Sequence, residues 1–189
     1  LKPVAAMLPE KLGASLLAER LKEAAANPGQ TKVDPKFLEM DWDKAVKSGD
    51  AERGGKLFSS DGLGCAKCHA VTSESVAVGG PSLADAAKRF TVAHLVESVL
   101  LPNKTISPVF KATSIVTKAG KVYSGLVTGD TAEKVEMILS DATKATIAKG
   151  DIEERTLQDI SPMPAGLVKT PEELRDLLAF LLGENPKTP

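Results

Sequence analysis

Cys65 and Cys68 stand three positions apart and His69 follows at once, giving Cys65-Ala66-Lys67-Cys68-His69. These are the chain's 2 cysteines and one of its 2 histidines. Two thiols at that spacing, in one tight turn, can add across both vinyl groups of a single haem. The adjacent imidazole then falls under the iron as an axial ligand. Shuffling so few Cys and His residues produces the pattern on the order of once in ten thousand times. Two other chemistries use Cys-x-x-Cys. A zinc site needs about four ligands, and His94 is the one Cys or His left outside the motif. A dithiol redox pair belongs at the end of a strand that opens a helix; here the pair follows a glycine-flanked helix end. The motif therefore reads as one covalent haem c on Cys65 and Cys68, with His69 as proximal ligand.

A second axial ligand must come from the four methionines or from His94. Met163 lies in Ser161-Pro162-Met163-Pro164-Ala165-Gly166. Flanking prolines remove backbone donors and restrict the loop, which suits a strap holding a thioether against iron. The plainer alternative is a methionine packing in a turn. Met137 falls in a strand pattern and reads as core, Met40 sits beside Trp42, and Met7 is near a terminus. His94 reads as a solvent-facing helical residue.

The elements that must position these residues follow from periodicity. Leu8, Leu12, Leu16, Leu17 and Leu21 predict an amphipathic helix over 8–27, stopped by Asn27-Pro28-Gly29. A second helix is expected over 36–46. Asp50 caps a helix over 51–60 that carries Gly54-Gly55 and Phe58; paired glycines there predict close approach of another backbone. Thr91 caps another, closed by Pro102. The pattern then alternates, predicting four strands over 110–117, 121–129, 133–140 and 144–149, with tight turns at Ala119-Gly120 and Asp141-Ala142 and a looser one at Gly129-Asp130. Thr170-Pro171-Glu172-Glu173 is a capping box with proline at the first helical position, followed by Leu174, Leu177, Leu178 and Leu181.

Composition narrows the function classes. The chain has 189 residues, 42% hydrophobic and 4% aromatic, enough for a core with few rings in it. Lys+Arg 24 against Asp+Glu 25 leaves no basic stripe for nucleic acid. No apolar run approaches the roughly 20 residues needed to span a bilayer. Leu1-Lys2-Pro3-Val4 carries no signal pattern and reads as part of a longer chain. No paired carboxylates, nucleophile–base pair or phosphate-cradling loop stands out.

The run from Gly49 to Phe58, then Cys65 to His69, Gly80-Pro81-Ser82-Leu83 and Ser161-Pro162-Met163-Pro164, resembles the successive landmarks of class I cytochromes c. That resemblance implies that the first and last helices of the core cross at Gly54 or Gly55 and Phe58 against Leu177 or Phe180. It also implies that the Pro81 carbonyl bonds the second ring nitrogen of His69. One departure is large: His69 and Met163 are 94 positions apart, so the alternating block reads as an insertion. With it, the chain is similar to the planctomycete and verrucomicrobial (PVC-type) CxxCH haem-binding domain. Arg89-Phe90 through Leu101-Pro102-Asn103-Lys104 and Asp151-Ile152-Glu153-Glu154-Arg155 also resemble that family.

The expected fold is therefore mainly α. A class I cytochrome c helical core (49–108 and 156–189) would carry a small antiparallel β-sheet inserted over 109–155 and an N-terminal helical extension over 1–48. The expected role is single-electron transfer through His/Met-ligated haem, not catalysis. The relay would serve a redox partner protein or a fused dehydrogenase domain, with no nucleic acid and no transmembrane segment, in the periplasm or another extracytoplasmic compartment. Lys67, Lys88 and Lys104 are candidates for the rim of the exposed haem edge. Two alternatives stay open: a haem-based gas sensor or enzyme with a labile sixth ligand, and a binding module built on the β insert.

Overall fold

A computed structural model describes residues 17–19, 33–75 and 78–183. The helix expected over 8–27 lies outside the described residues except at 17–19, which are helical, with Leu17 buried in the main core. Asp34 and Asp41 each open a short helix, α1 (Pro35–Leu38) and α2 (Trp42–Lys47), by accepting from the Lys36 and Lys44 amides. The single helix expected over 36–46 is thus broken at Glu39–Asp41. Asp41 bonds the backbone ahead of it and so competes with helix continuation. Trp42 bridges the break, donating its indole N–H to the Phe37 carbonyl at 3.0 Å and stacking on the Phe37 ring.

Asp50 caps α3 (Ala51–Ser59) by accepting from the Arg53 amide at 2.9 Å. A short α4 (Ala86–Arg89) precedes α5 (Val92–Leu100), which Thr91 caps. The last helix, α6 (Pro171–Leu182), carries the full capping box of Thr170 and Glu173. α3 and α6 touch backbone to backbone. A Cβ added to Gly54 would lie 2.0 Å from the Asp176 carbonyl oxygen, and one on Gly55 3.1 Å from the Phe180 ring. Phe58 and Phe180 stack tilted at 5.6 Å. Around this crossing Leu95, Val96, Leu174, Leu177 and Leu178 form one apolar core.

Between α5 and α6 the chain builds a sheet with strands β1 (Thr113–Thr117), β2 (Val122–Asp130), β3 (Lys134–Leu139), β4 (Lys144–Ala148) and β5 (Ile152–Leu157). All pairings are antiparallel, in the order β4-β3-β2-β1-β5. Ile115, Val135, Met137 and Ile147 give the sheet a small core of its own. Ala119-Gly120 turns β1 into β2 with Gly120 at φ 78, and Ala142 takes φ 65 between β3 and β4. The expected turn at Gly129-Asp130 is instead the end of β2, past an irregularity between Val127 and Gly129.

Two further expectations are corrected. The sheet has a fifth strand, which runs past residue 155 and pairs with β1. The mainly α class is overturned: among the described residues helix of all kinds makes up 37% and strand 20%, so the chain is not clearly a mainly α class I cytochrome fold. The physical reason lies in both halves. The described residues between Ser60 and Asp85 form turns and one 3-10 turn rather than helix, and the alternating block yields a five-stranded sheet.

Candidate functional site

The cysteine motif begins where α3 ends. Ser60 accepts the Gly64 amide at 2.9 Å through its carbonyl, and Gly64, at φ 66, reverses the chain into a 3-10 turn over Cys65–Lys67. The Cys65 carbonyl then accepts from both the Cys68 and His69 amides, at 3.1 and 2.9 Å. One turn therefore fixes both thiols and the imidazole. Both cysteines are free thiols, and Cys65 packs against the helical core beside α3.

The chain then returns along its own path. The Gly79 amide donates to the Cys68 carbonyl at 3.2 Å and the Leu83 amide to the Ala70 carbonyl at 2.7 Å. Between these bonds the return segment lies flat on the motif. A Cβ on Gly80 would meet His69 Cε1 at 2.5 Å, and one on Gly79 would meet Cys68 Sγ at 2.9 Å and Ile138 Cγ2 at 3.1 Å. Only glycine leaves room there. The contact to Ile138 also brings β3 against the motif.

His69 Nδ1 lies 2.8 Å from the Pro81 carbonyl oxygen. A carbonyl can only accept, so Nδ1 carries the proton and Nε2 keeps its lone pair. Burial pushes the imidazole pKa below its ordinary value, against the Pro81 carbonyl, which works to raise it. Burial thus favours the neutral ring, and Pro81 sets the tautomer that leaves Nε2 available to a metal. The thiols behave differently. Burial pushes Cys65 up to about 11, and burial likewise raises Cys68 against the nearby Lys67 charge. Reactive dithiols rely on a lowered pKa. This pair lacks one. Among the described residues no three His, Cys, Asp or Glu side chains converge as a metal-ion site.

Met163 lies in a separate strap, half-buried. Its amide donates to Ser161 Oγ at 3.1 Å, and the Ser161 amide donates to Asn103 Oδ1 at 2.8 Å. Ala112, at the entrance to β1, exchanges two backbone bonds with Gln158 and Ile160 just upstream. No described hydrogen bond joins Met163 to His69 or the cysteines. The structure thus gathers Cys65, Cys68, His69 and Pro81, and holds Met163 by other means. Met137 is 1% exposed in the sheet core, while His94 is exposed and stacks on Phe90 at 5.0 Å. Met40 packs on the helical core, and Met7 is outside the described residues. Of the three lysines, Lys67 and Lys88 are exposed, but Lys104 turns inward to Glu97 at 2.9 Å.

Sequence reasoning missed two contributors. Ile138 reaches the cysteine motif and Asn103 the Met163 strap through chain pairings that no local pattern reveals. The donor set could hold a covalent haem. Two free thiols and an oriented imidazole share one turn, and Leu63, Val71 and Leu83 near the motif keep part of their apolar surface open. No helix among the described residues is long and apolar enough to cross a membrane. The chain matches no protein-family model and no curated protein.

Proposed function

We propose that this chain is a c-type cytochrome domain of the PVC-like kind, moving single electrons through one haem c held covalently by Cys65 and Cys68. The observation that carries the reading is the His69–Pro81 bond at 2.8 Å, which leaves Nε2 free beside two thiols on one turn. The bound group would supply a one-electron iron couple. The residues do the rest. Cys65 and Cys68 would fix the group's orientation, Pro81 holds the imidazole in the tautomer that leaves Nε2 unprotonated, and Gly79 and Gly80 let the return segment pack against the motif. Met163 is the proposed sixth ligand, its thioether favouring the reduced iron. Held by His69 and Met163 together, the group would offer substrate no open position, which favours a relay role over catalysis.

Its partner would be a separate redox protein or a fused dehydrogenase domain. Thioether attachment is made outside the cytoplasm, which places the proposed site of action in the periplasm or an equivalent compartment. The raised Cys65 pKa argues against a dithiol oxidoreductase.

The test is expression alongside haem-attachment machinery, followed by acid–acetone extraction, mass measurement and reduced and oxidised spectra. Colour that stays with the protein, and is lost in the Cys65→Ala/Cys68→Ala double variant, supports the reading; a polypeptide of bare mass sinks it. Met163→Ala should keep the covalent group yet open the iron to carbon monoxide. Carbon monoxide binding by the unmodified protein would favour a sensor with a labile sixth ligand instead.

A further inference from the structure

The Met163 strap has an unusual shortage of backbone donors. Pro162 and Pro164 have no N–H, so between Ser161 and Pro164 just two amides exist, those of Ser161 and Met163. Both are used, and in series. Asn103 Oδ1 takes the Ser161 amide at 2.8 Å, and Ser161 Oγ takes the Met163 amide at 3.1 Å. Upstream, the strap is tied to the sheet entrance by Gln158 N to Ala112 O at 2.8 Å and Ala112 N to Ile160 O at 2.9 Å. Past Ile160, among the described hydrogen bonds that reach Ser161 to Pro164, Asn103 is the one partner from outside the strap. It sits in the turn after α5, three residues beyond its end.

We propose that Asn103 is the positioning residue of the Met163 strap: its carboxamide oxygen, acting through Ser161, sets the backbone direction at Met163 and so holds the thioether for the iron. This rests on the haem reading above. The requirement at position 103 is an acceptor oxygen of the right length, not an amide as such. Aspartate should serve and alanine should not. The turn after α5 would then control how readily the sixth ligand gives way, although no described hydrogen bond joins Asn103 to Met163, His69 or the cysteines.

The test uses the haem-loaded full chain, with Asn103→Ala, Asn103→Asp and Met163→Ala compared. Losing one hydrogen bond predicts roughly five- to tenfold tighter binding of external imidazole by oxidised Asn103→Ala, and a weakened methionine–iron absorption band. Asn103→Asp should stay close to the parent. Amide exchange at Ser161 should quicken by about the same factor in Asn103→Ala, a readout that needs no haem. An alanine variant that matches the parent in imidazole affinity, or an aspartate variant that matches the alanine one, overturns the inference while leaving the haem reading standing. If the parent already binds imidazole as tightly as Met163→Ala, Met163 is not the ligand and both the His/Met assignment and this inference fall. Unchanged Ser161 exchange in Asn103→Ala refutes the positioning contact whatever the haem does.

Discussion

The helical region and the sheet handle charge in opposite ways. In the helical region Asp176 is buried at the α3–α6 crossing, where it accepts from the Asp50 amide and Arg175 Nε, each at 2.9 Å, and pairs with Arg53. Burial pushes its carboxyl pKa up. The Asp50 amide, Arg175 and Arg53 outweigh that and hold it below the usual carboxylate range. In the sheet Asp130 meets Lys149 and Arg155 at 2.6 Å each, all three well exposed, and those partners also lower its pKa. The two clusters look alike on paper. Water screens the second, whereas removing a partner from the first strands a buried charge. The regions also close their cores differently: backbones touch at Gly54 in one, while Ile115, Val135, Met137 and Ile147 interlock in the other.

The sharpest way to test that contrast is Gly54→Ala. Its new Cβ would sit 2.0 Å from the Asp176 carbonyl oxygen, a backbone atom with nowhere to go. Urea unfolding should show a loss of about 3 kcal/mol or somewhat more. Gly150→Ala, where an added Cβ meets nothing within 4 Å, should change stability little. Met137→Ala should cost about 2–3 kcal/mol by opening the sheet core. In amide exchange, β2 and β3 should lose protection before α3 and α6; equal loss in both would mean that the regions unfold as one unit.

Asp176→Asn is expected to cost about 2 kcal/mol at neutral pH. The sign of its pH dependence follows from the lowered folded-state pKa. The stabilisation is complete above the unfolded value of about 3.9 and drains away as pH falls through the lower folded value. The parent should therefore lose stability below about pH 4, and the variant should show less of that slope. Asp130→Asn should leave neutral-pH stability nearly unchanged. If the two aspartates behave alike, burial is not what separates the regions. Ile138→Val should cost about 1 kcal/mol and bring faster alkylation of Cys68 in haem-free protein, since Ile138 closes over Gly79 beside that thiol.

Much of the fold was legible because its signals are local. Caps at Asp50, Thr91 and Thr170 mark helix starts through bonds reaching three residues along the chain. Four strands stood out by alternation. The fifth did not, since Ile152-Glu153-Glu154-Arg155-Thr156-Leu157 is exposed over nearly its whole length and has no buried face to impose a period. The mainly α expectation failed with it. The break at Asp41 was hidden because an aspartate reads equally well as helix surface or as a cap.

The sequence alone determined the chemistry on offer: two thiols and an imidazole within five residues, and a methionine between two prolines. Spacing along one turn is a property of covalent geometry and needs no partner. Only the tertiary structure decided which nitrogen of His69 stays free, that Ile138 of the sheet lies beside Cys68, and that Asn103 reaches the Met163 strap. Each depends on residues far apart in sequence, brought together by the burial of surfaces that no short window of residues contains.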